Sequence, residues 1–208
     1  MTVRAVRNIA APNYPTAPPS YNQRYMDQFT NVLRLYSNNV ANAVNAPKVH
    51  GSFYSTVQQN NSGASAVNLM TVNNAATAYG TVVTPPGSRV YVAETGIYNI
   101  QFSAQFDKSA GGAADIYIWL RINGSNVPHS ASKVVIQGSN AELIAAWNFV
   151  IVLQANSYVE IAWASPDTNV HISAVSTQAG PPAIPSVVPE IPSVILTINW
   201  VSNIPAQV

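Results

Sequence analysis

The sequence contains no cysteine and very few charged residues. Without cysteine, the chain has neither disulfide bonds nor thiolate ligands for a metal. Charged residues make up 8% of the 208 residues, whereas about 25% is usual in globular proteins. The polar character comes instead from Asn, Gln, Ser and Thr side chains. Such a surface favours a protein held in an assembly over a freely soluble enzyme, because little net charge keeps copies apart.

A strong charge of one sign and long apolar runs are also missing. The formal net charge is +1 and Lys and Arg form no cluster, so the chain lacks the basic surface that nucleic-acid binding requires. No stretch approaches the roughly 20 apolar residues of a membrane helix, so we expect no membrane partner. Arg4 and Arg7 are followed by Asn8 and Pro12 rather than by an apolar segment, which predicts no signal peptide. We therefore expect a protein made in the cytoplasm and not exported by its host's secretory route.

Residues that could carry out catalysis are sparse. The eight carboxylates form no pair with the placement of an acid–base site. The three histidines, His50, His129 and His171, lack the spacing of metal ligands. The carboxylates near turns and Gly-rich loops are interpreted as turn formers or solubilising groups: Glu94, Asp107, Asp115 and Asp167. We expect no catalytic residue, no metal site and no cofactor, and therefore no enzyme.

Composition divides the chain into three segments. Residues 1–19 form a Pro-rich N-terminal arm, which is extended and cannot pack alone. Residues 20–46 have the apolar spacing of a helix, and we interpret them as an anchoring or trimerising helix. From residue 51 onward the apolar period changes to two, which indicates a separate β-domain over 51–208.

The predicted helix begins and ends with recognisable signals. Ser20 and Gln23 have the spacing of a capping box, and Pro47 stops the helix. An apolar stripe repeats at spacings of four and three, through Tyr25, Phe29, Val32 and Tyr36, and is widened by Leu33, Val40 and Val44. Two interpretations stay open: the helix lies on its own domain, or it packs against symmetry mates or a host particle.

The remainder of the chain has the pattern of an antiparallel β-protein. Apolar and polar residues alternate from Tyr98 to Phe106, and Asn123-Gly124 is a strong hairpin signal. Further strands are predicted at 89–94, 132–136, 142–153, 157–164, 170–176 and 193–201. The prolines of the loop 180–192 are expected to prevent strand pairing there. Many short strands with regularly spaced turns predict a β-sandwich, jelly roll or barrel.

One predicted strand, 142–153, is almost continuously apolar at its end. It is either a well-covered central strand, or a strand buried against the core on one side and a neighbouring subunit on the other. We favour the second interpretation, because other aromatic residues also occupy outward phases. The predicted trimer-interface residues are Tyr117, Trp119, Trp147, Phe149, Ile151 and Trp163.

Four blocks in order resemble the complement/tumour-necrosis-factor (TNF) superfamily of trimeric jelly rolls. They are an apolar strand with Gly-x-Tyr (90–102), a Leu-x-x-Asn-Gly-like hairpin (118–124), a strand–turn–strand block (149–159) and a closing strand (193–198). The resemblance covers roughly 51–201 and implies an antiparallel TNF-like jelly-roll β-sandwich that forms a homotrimer. Ala155-Asn156-Ser157 replaces the usual Gly-Asp turn, and neither a collagen-like stalk nor a calcium-binding acidic cluster is visible.

Other segments are similar to virion proteins of tailed phages, particularly those that infect cyanobacteria and marine bacteria. Residues 101–108 and 116–124 look like their jelly-roll modules, and residues 21–36 behind a Pro-rich leader resemble an N-terminal block that precedes such modules. The resemblance implies a bacteriophage virion structural protein with an N-terminal anchor. The predicted virion-anchoring residues are Pro12, Tyr14, Tyr21, Tyr25, Phe29, Val32 and Tyr36.

The chain is short, lacks a fibre shaft and carries its anchor at one end. We therefore predict a trimeric capsid decoration or cement protein on the virion's capsid surface, bound to the major capsid protein or other virion proteins. The alternative is a tail fibre or receptor-binding tip that recognises a host surface glycan through loops 109–114 and 123–131. A third class, a carbohydrate-active enzyme, would require two carboxylates that converge in a cleft.

Overall fold

The computed structural model describes residues 10–64, 66–83, 87–175, 178–179 and 187–204. The chain divides into two compact units, Met1–Pro47 and Lys48–Val208. No helix in this described part of the chain is both long and apolar enough to cross a membrane. Residues 1–9 of the predicted arm lie outside the described residues, and residues 10–18 form neither helix nor strand.

The first unit contains a single described helix, α1, over Gln23–Val44. Its N-cap is Asn22, whose extended backbone (φ −137°) lets the side-chain oxygen accept a hydrogen bond from the Tyr25 N–H at 3.1 Å. The predicted capping box at Ser20 is therefore wrong, because the chain enters the helix two residues later. At the other end the Asn45 N–H donates to the Ala41 carbonyl at 3.0 Å.

The second unit is built from strands, and their bounds are as follows. They are β1 His50–Ser55, β2 Gln59–Asn60, β3 Asn68–Leu69, β4 Asn74–Tyr79, β5 Thr81–Val82, β6 Val90–Val92, β7 Gly96–Lys108, β8 Ala114–Ile122, β9 Ser125–Asn126, β10 Ser132–Ile136, β11 Ala141–Leu153, β12 Tyr158–Ala164, β13 Val170–Ile172, β14 Gln178–Ala179, β15 Val187–Val188 and β16 Val194–Ser202.

The described strands form two seven-stranded antiparallel sheets, A and B, and a separate antiparallel pair, β14 and β15. In sheet A the strands β4, β1, β16, β7 and β11 lie side by side. At the C-terminal end of β7, β13 pairs with Phe106–Lys108, and β2 pairs with β13. In sheet B the order is β5, β6, β12, β8 and β10, with β3 paired to β12 and β9 to β8. The two large sheets pack face to face around one core, which is the arrangement of a jelly-roll sandwich. The predicted antiparallel jelly-roll β-sandwich is confirmed, together with one helix among the described residues.

The Pro-rich loop differs from its prediction in one respect. Residues 180–186 lie outside the described part of the chain, but Val187 and Val188 form β15 and pair with β14. The prediction that the prolines prevent strand pairing is therefore wrong at this point. Val187 and Val188, unlike the nearby prolines, have backbone N–H groups, and these two residues are enough to pair with β14.

The core lies between the two sheets and follows the alternation of the strands. In β7 every second residue from Tyr98 to Phe106 is buried, and in β8 the buried residues run from Ala114 to Leu120. The Asn123-Gly124 turn links β8 to β9, with φ values of 50° and 81° that suit Asn and Gly. The outward residues of the same strands therefore form the two surfaces that can meet a partner.

Candidate interaction surfaces

The helix α1 exposes an apolar stripe and buries no residue. The least exposed positions of its first four turns are Tyr25, Phe29, Val32 and Tyr36, which follow the predicted stripe. The Tyr14 ring contacts Phe29 with ring centroids 5.4 Å apart, so the end of the arm folds back onto the helix. The rings of Tyr25 and Phe29 stack at 6.2 Å.

The predicted anchoring residues thus fall into two groups. Tyr14, Tyr25 and Phe29 form one aromatic cluster, which Val32 and Tyr36 continue along the helix. Among the described residues Tyr21 stacks on none of these rings and is 83% exposed, and Pro12 has no aromatic ring to contribute. A stripe of half-exposed aromatic side chains on a helix is the form of surface that enters a groove on a partner.

The predicted trimer-interface residues are distributed over three places rather than one. Tyr117 and Trp119 lie on the outer face of sheet B, where Tyr117 is 42% exposed and the Trp119 indole donates to Asn126 at 2.8 Å. They point away from sheet A, because the alternate residues of β8 are buried in the core. These two side chains therefore lie on a different face of the sandwich from the core-facing side chains of β11.

The three predicted residues of β11 lie on the core side of sheet A. Trp147 and Phe149 contact Phe102 at ring-centroid distances of 4.8 Å and 6.4 Å. Together with Ile151 they are only partly buried, because β11 is the strand at the edge of the sandwich. Their exposed portions form an apolar rim along that edge.

Trp163 occupies the core and is fully buried. Its ring meets Phe106 of the opposite sheet edge-to-face, with the centroids 5.4 Å apart. The prediction that Trp163 faces a neighbouring subunit is therefore wrong. The alternation of apolar and polar residues could not assign Trp163 correctly, because residues on both sides of β12 are buried. The sequence of this strand therefore does not reveal which side faces the core.

Charged side chains are concentrated on the outer face of sheet B. Glu160, which is 1% exposed, lies 3.1 Å from Arg89 and 3.7 Å from Arg121. On the neighbouring strands Lys133 pairs with Asp115 at 3.4 Å. Ion pairs lose hydration when they are buried, so the part of this face that carries them resists close contact with a second protein, while Tyr91, Tyr117 and Val135 are exposed on the same face.

The outer face of sheet A is different, and we call its central part the neutral face. It consists of outward side chains of β1, β16, β7 and β11 that lie in adjacent rows of the register. Its members are Ser52, Tyr54, Asn99, Gln101, Ser103, Ala146, Asn148, Val150, Ile195, Thr197 and Asn199. None of these side chains is ionisable near neutral pH, but the row of Asn99 and Asn199 ends on β1 at His50, which is. Val150 is 63% exposed and Ile195 is 41% exposed, so apolar and amide groups are mixed on this face.

One acidic end borders the neutral face. Asp107 and Glu142 face each other across β7 and β11, and His171 faces Asp107 from β13. Among the described residues no group of three or more His, Asp or Glu side chains is placed to hold a metal ion. Like charges that face each other across two strands repel, so this end is a poor site for close packing.

A cleft of about 520 Å³ brings two other carboxylates together. Its wall includes Asp115 and Asp167. The carboxyl of Asp167 contacts Lys108, and this hydrogen bond, with those from Asn169, holds the pKa of Asp167 below its ordinary value. Glycoside hydrolysis needs a general acid whose pKa is raised, so Asp167 is the wrong kind of group for that role.

Comparisons with known proteins found fold similarities only. No protein-family model matches the chain, and no curated protein matches it. Among solved structures, Eiger TNF from S. frugiperda has a TM-score of 0.48 at 10% identity and covers 78% of this chain and 98% of its own. The globular domain of zebrafish complement 1qA has a TM-score of 0.43 at 12% identity, with 76% and 99% covered. Murine APRIL has a TM-score of 0.47 at 11% identity, with 74% and 100% covered. Similarity at this level says nothing about what this chain binds.

Proposed function

We propose that this protein is a structural component of a bacteriophage virion, namely a homotrimeric capsid decoration or cement protein. The jelly-roll domain associates through its neutral face and the apolar rim of β11. The N-terminal segment attaches the trimer to the major capsid protein or to other virion proteins. Its place is the capsid surface, and its role is non-catalytic.

The difference between the two outer faces carries this proposal. Sheet B presents the Arg89–Glu160–Arg121 and Lys133–Asp115 ion pairs, whereas the neutral face presents amides, hydroxyls and apolar groups. Removing charges from water costs several kcal/mol per ion, and neutral groups that find partners cost far less. Protein interfaces are depleted of charge at their centres for this reason. Self-association is therefore expected on sheet A and not on sheet B.

The helix stripe supports attachment through the N-terminal segment. The aromatic cluster of Tyr14, Tyr25 and Phe29 is only partly covered within its own unit. An amphipathic helix of this kind binds by laying its apolar side into a groove. Because the groove would exist only in the assembled shell, binding would stabilise the shell by mass action.

A second function, a tail fibre or receptor-binding tip, is favoured by one observation. The rings of Tyr91 and Tyr158 lie 5.1 Å apart at the surface of sheet B, and the Arg89 guanidinium lies 4.7 Å from the centre of the Tyr158 ring. Tyr91 is 40% exposed. Exposed aromatic rings with a nearby hydrogen-bond donor can stack on sugar rings, so a host surface glycan is the partner expected here.

The oligomer is tested by measuring the mass of the purified chain in solution, where the proposal expects three times 22.2 kDa. Gln101→Lys places a charge on the neutral face and is expected to produce monomers. Val135→Lys is the matched control, because Val135 is 42% exposed on sheet B and should leave the trimer intact. A trimer that survives Gln101→Lys but not Val135→Lys would place the interface on sheet B.

Attachment is tested separately by adding the protein to particles that lack it. Tyr25→Ala with Phe29→Ala is expected to abolish binding without altering the trimer, whereas Gln28→Ala on the exposed side of the helix should bind normally. Hundreds of copies per particle indicate decoration, and tens or fewer indicate a tail component. Particle binding that persists after deletion of residues 1–46 would refute the anchor.

A further inference from the structure

Lys108 is a buried cation that the proposed function does not use. Its side chain is 0% exposed at the end of β7, and it contacts the Asp167 carboxyl, which is 25% exposed. Among the described residues, Asp167 is the only hydrogen-bond acceptor of the Lys108 amine. A lysine ammonium has three donors, so burial here leaves most of its hydrogen-bonding capacity without a protein partner. Such an arrangement is costly for an ion pair.

The Asp167 carboxyl is held in a fixed orientation. Its Oδ1 atom accepts hydrogen bonds from the backbone N–H and the side-chain amide of Asn169, each at 2.9 Å. Its own backbone is fixed by Asn61, whose amide donates to the Asp167 carbonyl at 3.1 Å. The other carboxyl oxygen, Oδ2, faces the Lys108 amine. The two donors on Oδ1 therefore lie where negative charge would develop if a nucleophile attacked the carboxyl carbon.

Gly111 covers the two side chains from the solvent side. It has a φ of +87°, and a Cβ atom at this position would lie 3.1 Å from the Lys108 amine and 3.7 Å from Asp167 Oδ2. Glycine thus satisfies both the left-handed backbone and the close approach. The backbone of this loop keeps the amine and the carboxyl together, while the cleft beside Asp167 leads to solvent.

We propose that Lys108 and Asp167 condense after folding into an intramolecular isopeptide bond. A proton passes from the ammonium to the carboxylate, which is the unfavourable step because hydrogen bonds lower the pKa of Asp167, and the neutral amine attacks the carboxyl carbon. The Nζ–Cγ bond forms, one Cγ–O bond breaks, and one carboxyl oxygen leaves as water with two of the three original amine protons. The third proton stays on the amide nitrogen, the two charges cancel, and no other reactant is consumed.

Two physical factors favour this reaction. Holding two groups in contact gives effective concentrations of about 10⁵–10⁸ M, which offsets the unfavourable loss of water that a free amine and acid face. The amide product has one N–H in place of three donors and no charge, so it suits the buried site better than the ion pair does. In a chain without cysteine, the bond would link β7 to the β12–β13 loop as a disulfide would.

The test is the intact mass of the purified full-length protein under denaturing conditions. The expected mass is lower than the sequence mass by one water, and peptide mapping should find the segments that contain Lys108 and Asp167 joined. Lys108→Arg, which keeps the cation but cannot condense, should have its full sequence mass. Asp167→Asn should lose ammonia instead and reach the same final mass as the wild type.

Two outcomes would overturn the inference. Folded wild-type protein with the full sequence mass would mean that Lys108 and Asp167 form an ion pair only. A loss of water that persists in Lys108→Arg, or a map without the joined segments, would assign the dehydration to another site. The peptide map of the wild type decides the question even if a variant fails to fold.

Discussion

Replacing Trp163 separates a core role from an interface role most sharply. Truncating a buried Trp to Ala costs about 3–5 kcal/mol, and loss of an edge-to-face aromatic contact adds about 0.5–1.5 kcal/mol. Trp163 is fully buried and has such a contact with Phe106. We therefore expect Trp163→Ala to lower the free energy of unfolding by about 4–6 kcal/mol, a large part of the roughly 5–15 kcal/mol of a typical domain.

Urea denaturation followed by circular dichroism measures this loss. With a slope of about 2 kcal/mol per molar urea, the midpoint should fall by roughly 2–3 M. Trp119→Ala is the matched control, because Trp119 is only partly buried and loses mainly its hydrogen bond to Asn126. Its expected cost is about 1 kcal/mol.

The reasoning fails if Trp163→Ala costs no more than Trp119→Ala. It also fails if the loss disappears when the protein concentration is lowered, because a residue between subunits stabilises only the associated state. A core residue destabilises the subunit itself, so its effect should be independent of protein concentration.

Three further variants test other parts of the structure. Burial raises the pKa of Glu94 above its ordinary value of 4.5, so ionisation of this carboxyl destabilises the folded state. Glu94→Gln should therefore match the wild type in stability below about pH 4.5 and be more stable than the wild type above it. Denaturation curves measured across pH test this. Gly96→Ala should lower the free energy of unfolding by about 1–3 kcal/mol in the same assay, because its Cβ would clash with the Trp200 indole. Gly112→Ala is the control: nothing lies within 4 Å of its Cβ position, so it should be neutral or slightly stabilising. Asn22→Ala removes the helix N-cap and should destabilise α1 by about 1 kcal/mol, visible as lower helicity of the isolated segment 10–47.

Strands with one wet face could be predicted from the sequence. In β7 the alternation from Tyr98 to Phe106 assigns each residue to its correct side, because its outward neighbours are polar. The strand predicted at 142–153 forms β11 over Ala141–Leu153. Small and polar residues conceal β1 and β4, where Gly51, Ser52 and the Asn-Ala-Ala-Thr-Ala stretch have weak strand signals.

The candidate interaction surfaces were harder to predict than the fold. Alternation places Tyr117 and Trp119 on an outward side correctly, but it cannot tell which of the two sheets carries that side. The charge difference between the sheets arises only when strands distant in sequence, such as β1, β16 and β7, are brought together. The contact between Lys108 and Asp167 joins positions 59 residues apart, and no local pattern signals it.

The neutral face also determines how the assembly would respond to its surroundings. Dissolved salt screens interactions between charges over about 8–10 Å at physiological ionic strength. An interface made of amides, hydroxyls and apolar side chains contains few charge–charge interactions that salt could screen. Its association constant should therefore change little with ionic strength. The exposed Lys133–Asp115 ion pair of sheet B, by contrast, would weaken. If the trimer forms as proposed, it should therefore persist between dilute and concentrated salt.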